Sequence, residues 1–180
     1  VNMDDFPISH APKDGKTVLV EGWEAGNPSK DYNRIGPAVA RMLRKYGYRI
    51  LAYGIHPCRT LHHVPHEYYI KPDTNTLNML YERATILIKA SRYDARSCSP
   101  MEAMTKGTVT VRAIEKGDDD LVHDVNCYRT DYNMNSLLSL SLQLLRDADR
   151  REQLAEACRL YVQRYSWDYW MNIVEQRLSK

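Results

Sequence analysis

The chain has 180 residues, of which 43% are hydrophobic and 27% charged, and its formal net charge is +2. This length suffices for one domain of ordinary size with a buried core. A charge balance so near zero gives no argument for binding nucleic acid, and we expect no such partner. The sequence has no apolar run of about 18 residues and no signal-peptide pattern, so we expect a cytoplasmic location without a transmembrane segment.

The cysteines and histidines predict neither a metal site nor a disulfide framework. The four cysteines are Cys58, Cys98, Cys127 and Cys158. They are far apart and form no Cys-x-x-Cys pair, which favours reduced thiols. The histidine cluster His62, His63 and His66 contains Pro65 and has no Cys or carboxylate pair at ligand spacing. We therefore expect no metal and no other cofactor.

Strand and helix patterns alternate over the first two thirds of the chain. The predicted strands are Thr17 to Glu21, Arg49 to Tyr53, Tyr68 to Ile70, Ile86 to Ile88 and Thr108 to Val111. A helix is predicted from just after Lys30 to Gly47, and another from Asn75 to Arg83. Residues 1 to 15 show little periodicity and are predicted to be a linker, which leaves 16–180 as the domain. This alternation is typical of an α/β fold, a doubly wound Rossmann-like parallel sheet with helices on both faces.

The last third of the chain is predicted to be mainly a helical extension. The acidic segment from Glu115 to Asp120 is predicted to be a loop. A short helix is predicted to follow it through Leu121 and Val122. Asn126 to Thr130 is predicted to form a last small strand. Three apolar stripes at helical spacing follow. Ser166 is expected to cap the last helix, with Trp167 and Trp170 as packing anchors.

The residues between the fourth and fifth predicted strands predict a helix with a defined start and end. Ser99 suits an N-cap, Pro100 suits the first helical position, and Gly107 suits a left-handed C-terminus. Glu102 has two interpretations. It can complete a Ser-x-x-Glu capping box, whose removal costs on the order of 1 kcal/mol, or it can accept hydrogen bonds from a ribose whose phosphates lie over the helix start.

Candidate ligand-binding groups follow the first and fourth predicted strands, while the dinucleotide fingerprint, the P-loop and the Gly-x-Ser-x-Gly elbow are absent from the sequence. Lys30 follows the first strand. The groups after the fourth strand are Asp94, Ser97, Cys98, Ser99 and Glu102. On a parallel sheet these loops open on the same edge, where a lysine ammonium and free helix N–H groups suit a diphosphate.

These residues carry a family resemblance. Asp94 and Glu102, in Asp-x7-Glu leading to Glu-Ala-Met-x-x-Gly, resemble the Glu-x7-Glu signature of retaining nucleotide-sugar glycosyltransferases with the GT-B architecture. Further matches occur in the expected order: Asn2 to Pro7 (the hinge between lobes), Gly22 with Lys30, Tyr81 to Ala84, Asp120 to Asn126 and Tyr165 to Trp167. Over nearly its whole length the chain resembles the C-terminal, donor-binding lobe of the glycosyltransferase group 1 family.

The resemblance implies a role for each matching residue. Glu102 would hold the ribose hydroxyls, Lys30 would neutralise the diphosphate and the leaving group, and Asp94 would approach the donor sugar; these three are the catalytic candidates. Amides near the helix start would bind sugar or phosphate oxygens. The substrate-binding candidates are Gly22, Lys30, Lys71, Asp94, Arg96, Ser97, Cys98, Ser99 and Glu102.

The sequence departs from the family pattern at the charged positions. Trp23 stands where a phosphate-binding Arg is usual, and Asp94 is one methylene shorter than Glu. Arg34 or Lys16 could supply the lost cation, and so could Arg96, which replaces a glycine of the loop between the two acids.

The resemblance implies the donor-binding half of a longer enzyme that transfers a sugar from a nucleoside-diphosphate sugar, with retention and without a metal. The acceptor, a glycan, lipid or protein, would bind an N-terminal lobe absent from this chain, which alone would bind nucleotide and transfer little. The full-length protein would be cytoplasmic or peripheral at the membrane. Two alternatives remain at this stage: a degenerate lobe that binds nucleotide or protein without transfer, and an unrelated doubly wound protein such as a flavodoxin-like regulator.

Overall fold

The computed structural model describes residues 1–22, 34–56, 60–61, 63–94, 97–117 and 121–179, apart from the side chains of 167 and 168. Its strands form one six-stranded sheet and are β1 (Thr17–Glu21), β2 (Arg49–Gly54), β3 (Glu67–Ile70), β4 (Ile86–Tyr93), β5 (Val109–Lys116) and β6 (Tyr128–Thr130). Its helices are α1 (Ile35–Lys45), α2 (Thr74–Arg83), α3 (Cys98–Thr105), α4 (Met134–Arg146), α5 (Ala148–Gln163) and α6 (Trp167–Leu178). The predicted fold class is confirmed.

All neighbouring strands pair in parallel, in the order β3-β2-β1-β4-β5-β6. The direction in which strands are added reverses between β1 and β4, and in sheets of this kind ligands bind outside the carboxyl ends at that reversal. The ends of β1 and β4 therefore mark the place where a site is expected.

Helices cover both faces of the sheet because side chains along a buried strand alternate between the two faces. Val18 and Val20 of β1 lie in one apolar cluster with α1, α4 and α5, whereas Leu19 lies in a second cluster with residues of α2. β1 is buried along its whole length, as its continuous apolar run predicts.

β4 and β5 are longer than predicted. The prediction ended β4 at Ile88 because Lys89 and Ser91 are polar, but both side chains are buried and the strand continues to Tyr93. β5 likewise continues through Arg112, whose side chain is fully buried. The buried polar side chains of these extensions have polar partners inside the domain, which removes the reason for ending the strands.

The helical extension is confirmed, but two details of the prediction are wrong. Ser166 caps α6 by accepting a hydrogen bond from the Tyr169 amide at 3.2 Å, as expected. Trp170 is half exposed and so is not a packing anchor; the side chain of Trp167 lies outside the described part. No helix forms at residues 121 and 122, because the Asn126 side chain accepts the Val122 amide hydrogen bond in a tight turn that leads to β6.

The segment 1–16 has neither helix nor strand but is tied to three helices. The Ser9 amide donates to the Thr105 carbonyl at 2.9 Å, and Arg159 donates to the Ser9 carbonyl at 2.9 Å. Lys13 donates to two carbonyls at the end of α2, and burial lowers the pKa of its ammonium to about 8. Among the described residues, no helix combines the length and the apolar character needed to cross a membrane.

Candidate functional site

Helix α3 begins at Cys98, after β4 has ended at Tyr93 at the carboxyl edge of the sheet. Ser97 is its N-cap residue and makes no side-chain capping bond, so the predicted N-cap at Ser99 is wrong. The Ser99 hydroxyl instead donates to Glu21 and accepts from Lys89 in the interior. A buried ion pair has therefore taken the hydroxyl that would otherwise cap the helix. The predicted C-terminus is confirmed, with Gly107 at φ 65°.

Glu102 lies on α3 without the predicted capping partner. Its Oε2 accepts a hydrogen bond from the Tyr81 hydroxyl at 2.9 Å, so the capping-box interpretation is wrong. Burial raises the pKa of the Glu102 carboxyl, and the Tyr81 hydrogen bond and the charge of Lys89 only partly oppose this. Among the described side chains only Tyr81 donates to this carboxylate, which can accept further hydrogen bonds.

Two buried tyrosines stand behind Glu102. The Tyr53 and Tyr81 hydroxyl oxygens are 3.1 Å apart, and their rings meet edge to face with centroids 6.1 Å apart. Burial raises the pKa of both phenols well above the ordinary value. Both hydroxyls therefore keep their protons and can act as donors at neutral pH.

A buried ion pair lies where the order of the sheet reverses. Glu21 ends β1, Lys89 lies in β4, and the Lys89 ammonium is 2.6 Å from Glu21 Oε2. Lys89 also donates to the Ser99 hydroxyl at 2.9 Å, and the side chains of both ions are at most 5% exposed. The pair joins β1, β4 and the first turn of α3. Sequence reasoning missed it, although a lysine within the run Ile-Leu-Ile-Lys-Ala was a signal that a buried acid must face it.

Asp94 belongs to the same interior cluster. Its Oδ2 is 3.2 Å from the Arg112 guanidinium, 3.6 Å from the Lys89 ammonium and 3.3 Å from the Ser91 hydroxyl. The side chain is 6% exposed. The Asp94 carboxylate thus faces the two buried cations.

A cavity of about 380 Å³ opens beside the first half of α3. Its lining residues are Val1, Asn2, Asp5, Phe6, Ser97, Cys98, Met101, Glu102 and Tyr165. Three of the candidate residues, Ser97, Cys98 and Glu102, are therefore brought together, with Ser99 buried beneath them.

The remaining candidates lie elsewhere on the same edge. Lys71 and Tyr53 line a second cavity of about 350 Å³ at the ends of β2 and β3. Gly22 directly follows β1, and a Cβ there would come within 2.6 Å of Leu61 Cδ1, so a larger residue would displace the end of the Leu61 side chain. Lys30 and Arg96 lie outside the described residues, as does Trp23.

Comparison with solved structures identifies the class of fold. The C-terminal domain of a glycosyl transferase group 1 family protein, LpcC from Francisella tularensis, matches with a TM-score of 0.72 and 14% identity over 93% of this chain and 99% of that one. Sucrose-phosphate synthase from Thermosynechococcus elongatus matches with a TM-score of 0.74 and 19% identity over 99% and 51%. HepE from Anabaena, solved in complex with UDP, matches with a TM-score of 0.66 and 14% identity over 92% and 50%.

These likenesses show that the chain has the fold of the C-terminal domains of GT-B group 1 glycosyltransferases. It spans nearly all of the separate LpcC domain and about half the length of the two longer proteins. No protein-family model and no curated protein sequence matches the chain.

Proposed function

We propose that this chain is the donor-binding half of a glycosyltransferase that transfers a sugar, with retention, from a nucleoside-diphosphate sugar to an acceptor. The observation that carries the proposal is Glu102. Its carboxylate lines a cavity at the carboxyl edge, and among the described side chains its hydrogen bond comes from Tyr81 alone. Burying such a group costs stability, and a pair of ribose hydroxyls would supply the donors that it lacks.

The surroundings of Glu102 suit the rest of a nucleotide. The amides of Ser97, Cys98 and Ser99 lie at the positive end of α3, where phosphate oxygens are stabilised. Lys30 and Arg96 are proposed to supply the positive charge that the diphosphate requires. Lys71, beside the second cavity, and Gly22, at the end of β1, complete the proposed contacts.

The chemistry of transfer follows from these charges. As the glycosidic bond breaks, negative charge builds on the departing diphosphate, and Lys30 together with the helix N-terminus would stabilise it without a metal. Asp94 is proposed to approach the donor sugar, which requires its carboxylate to turn away from Arg112. The acceptor, a glycan, lipid or protein, is proposed to bind a separate N-terminal lobe, so the chain alone would transfer little.

Calorimetric titration with UDP, GDP, ADP and dTDP tests this proposal. We expect one of the four to bind the wild-type chain, and we expect Glu102→Gln to weaken that binding at least tenfold while the fold, followed by circular dichroism, is kept. Glu152→Gln, on the exposed face of α5, is the matched control and should bind like the wild type. The proposal fails if none of the four nucleotides binds a well-folded wild-type chain, or if Glu102→Gln binds equally well.

A second candidate function keeps nucleotide binding and omits transfer. It is favoured by the inward position of Asp94, which is paired with Arg112 in the interior. Titration of the matching nucleoside-diphosphate sugar against Asp94→Asn separates the two candidates. The donor-binding proposal expects the variant to lose affinity for the sugar nucleotide but not for the free nucleotide, whereas a binding module expects no such difference.

A further inference from the structure

The Tyr81 hydroxyl occupies a special place behind the candidate site. It is 2.9 Å from Glu102 Oε2 and 3.1 Å from the Tyr53 hydroxyl, and the Tyr81 side chain is fully buried. One carboxylate oxygen of Glu102 is thus held from behind by a side chain of α2. The other oxygen, Oε1, accepts no hydrogen bond from the described side chains, and Glu102 lines the cavity.

The proton positions in this chain of hydroxyls follow from what each group can do. An ionised carboxylate can only accept hydrogen bonds, so Tyr81 must donate its single proton to Glu102. Tyr81 can then only accept from Tyr53, which makes Tyr53 the donor of the bond between the two phenols. The hydrogen bonds therefore run in one direction, from β2 through α2 to α3.

Packing holds both phenols in place. The Tyr53 ring meets the Tyr81 ring at 90°, and the Phe6 and Tyr81 ring centroids are 6.3 Å apart. Leu80 of α2 and Ala103 of α3 belong to the same buried apolar cluster. Neither hydroxyl can leave its position without opening this cluster, so the bond to Glu102 is set before any ligand arrives.

We infer that Tyr81 is a positioning residue: its hydroxyl orients the Glu102 carboxylate so that Oε1 accepts a hydrogen bond from a ribose hydroxyl of the nucleotide. This inference rests on the proposed function, because it assigns a geometric task within the same site. Tyr53 supports it by satisfying the Tyr81 oxygen. Because the folded domain already holds the Glu102 carboxylate in one orientation, nucleotide binding loses less conformational entropy, and the contact with the ribose is stronger.

Tyr81→Phe tests the inference because it removes the hydroxyl and keeps the ring. The nucleotide that binds the wild type is titrated together with its 2′-deoxy and 3′-deoxy forms. We expect the variant to bind the ribonucleotide about 5- to 20-fold more weakly. For the deoxy form that lacks the hydroxyl bound by Glu102 Oε1, the wild type and the variant should bind alike. Tyr69→Phe is the matched control, because Tyr69 donates to a different glutamate, Glu67, at the far edge of the sheet.

Equal weakening for the ribonucleotide and both deoxy forms would assign Tyr81 a packing role and overturn the inference, as would unchanged binding. A carboxyl ¹³C NMR titration of Glu102 needs no ligand and reports the same hydrogen bond. The Glu102 pKa should be higher in Tyr81→Phe, because the bond that favours the charged form is gone; an unchanged pKa also overturns the inference. If the Glu102 pKa is higher in Tyr81→Phe but no nucleotide binds the wild type, the proposed function is rejected instead.

Discussion

Two clusters of opposite charges differ in depth and in what they do for the molecule. Glu67 on the edge strand β3 pairs with Arg49 at 2.5 Å and Arg83 at 2.7 Å, with all three side chains at least 29% exposed. Glu21 and Lys89 pair at 2.6 Å at the centre of the sheet with at most 5% exposure. The outer cluster keeps much of its hydration, whereas the inner one has lost nearly all of it.

The difference decides which cluster stabilises the fold. The hydrogen bonds from Arg83, Tyr69 and Arg49 lower the pKa of Glu67 to about 2, which means that the charged form is favoured in the folded state. For the inner cluster, desolvation offsets much of the attraction, so an apolar replacement of both partners would be nearly as stable. What Glu21 and Lys89 do supply is geometry, because they tie β1 and β4 to the first turn of α3 beneath the candidate site.

Breaking the inner pair should have the largest effect. Lys89→Met leaves Glu21 as an uncompensated buried charge, and we expect it to lower the free energy of unfolding by about 3–5 kcal/mol in urea denaturation at pH 7. The double variant Glu21→Gln/Lys89→Met removes both charges and should recover more than half of that loss. A single variant that loses less than about 1 kcal/mol would show that the pair is not desolvated.

The outer cluster should respond less and with a clear pH dependence. Glu67→Gln is expected to cost about 1–2 kcal/mol at neutral pH, allowing for solvent screening of the exposed arginines. Since the Glu67 pKa is depressed on folding, its contribution is present above the ordinary value of 4.5 and is lost as the pH falls toward about 2. The free energies of unfolding of the wild type and Glu67→Gln should therefore converge as the pH falls from 7 to 3. A constant difference between them would contradict a depressed Glu67 pKa.

An uncharged helix cap gives a reference for both clusters. The Asn133 side chain accepts hydrogen bonds from the amides of Asn135 at 2.9 Å and Ser136 at 3.1 Å at the start of α4. Asn133→Ala should cost about 1 kcal/mol. Because no ionisation is involved, denaturation at pH 7 and at pH 4 should give the same loss, and a loss that changes between them would mean that this cap is coupled to a titrating group.

Glu102→Gln should have the smallest effect on stability, and in the opposite direction. Burial raises the pKa of Glu102 in the folded state, so folding favours the protonated carboxyl. The stability that this protonation contributes is complete below the unfolded pKa and is lost as the pH rises through the folded pKa. At pH 7 the glutamine variant avoids this loss and should be as stable as the wild type, or more stable by up to about 1 kcal/mol. At pH 4 the gain should shrink; a clear loss of stability at pH 7 would instead give Glu102 a structural role.

The same contrast explains how far the sequence could predict the fold. β1, β2 and β3 were located to within one residue, since apolar runs bounded by Gly and Pro depend on local pattern alone. β4 and β5 were predicted too short, because Lys89 and Arg112 resemble the start of a loop until their buried partners are known. Those partners come from distant parts of the chain.

The candidate site was predicted in the same uneven way. The motif and its position after a strand predict a site beside the first half of α3 and a binding role for Glu102. Both stay predictions, and the structure shows that Glu102 lines a cavity there. The wrong N-cap at Ser99 and the unforeseen hydrogen bond from Tyr81 have one cause, which is that both side chains are engaged across the sheet by residues remote in sequence. Local spacing carries no signal for such contacts.

The proposed function requires a nucleotide to bind at the carboxyl edge of the sheet, over the start of α3. Backbone amide NMR of the ¹⁵N-labelled chain during titration with the nucleotide that binds tests this most directly. We expect the largest shifts on residues 97–102, on Gly22 and on the end of β4, with the amides at the amino edge of the sheet unmoved. Shifts centred on the amino edge, or on α5 and α6 alone, would contradict it.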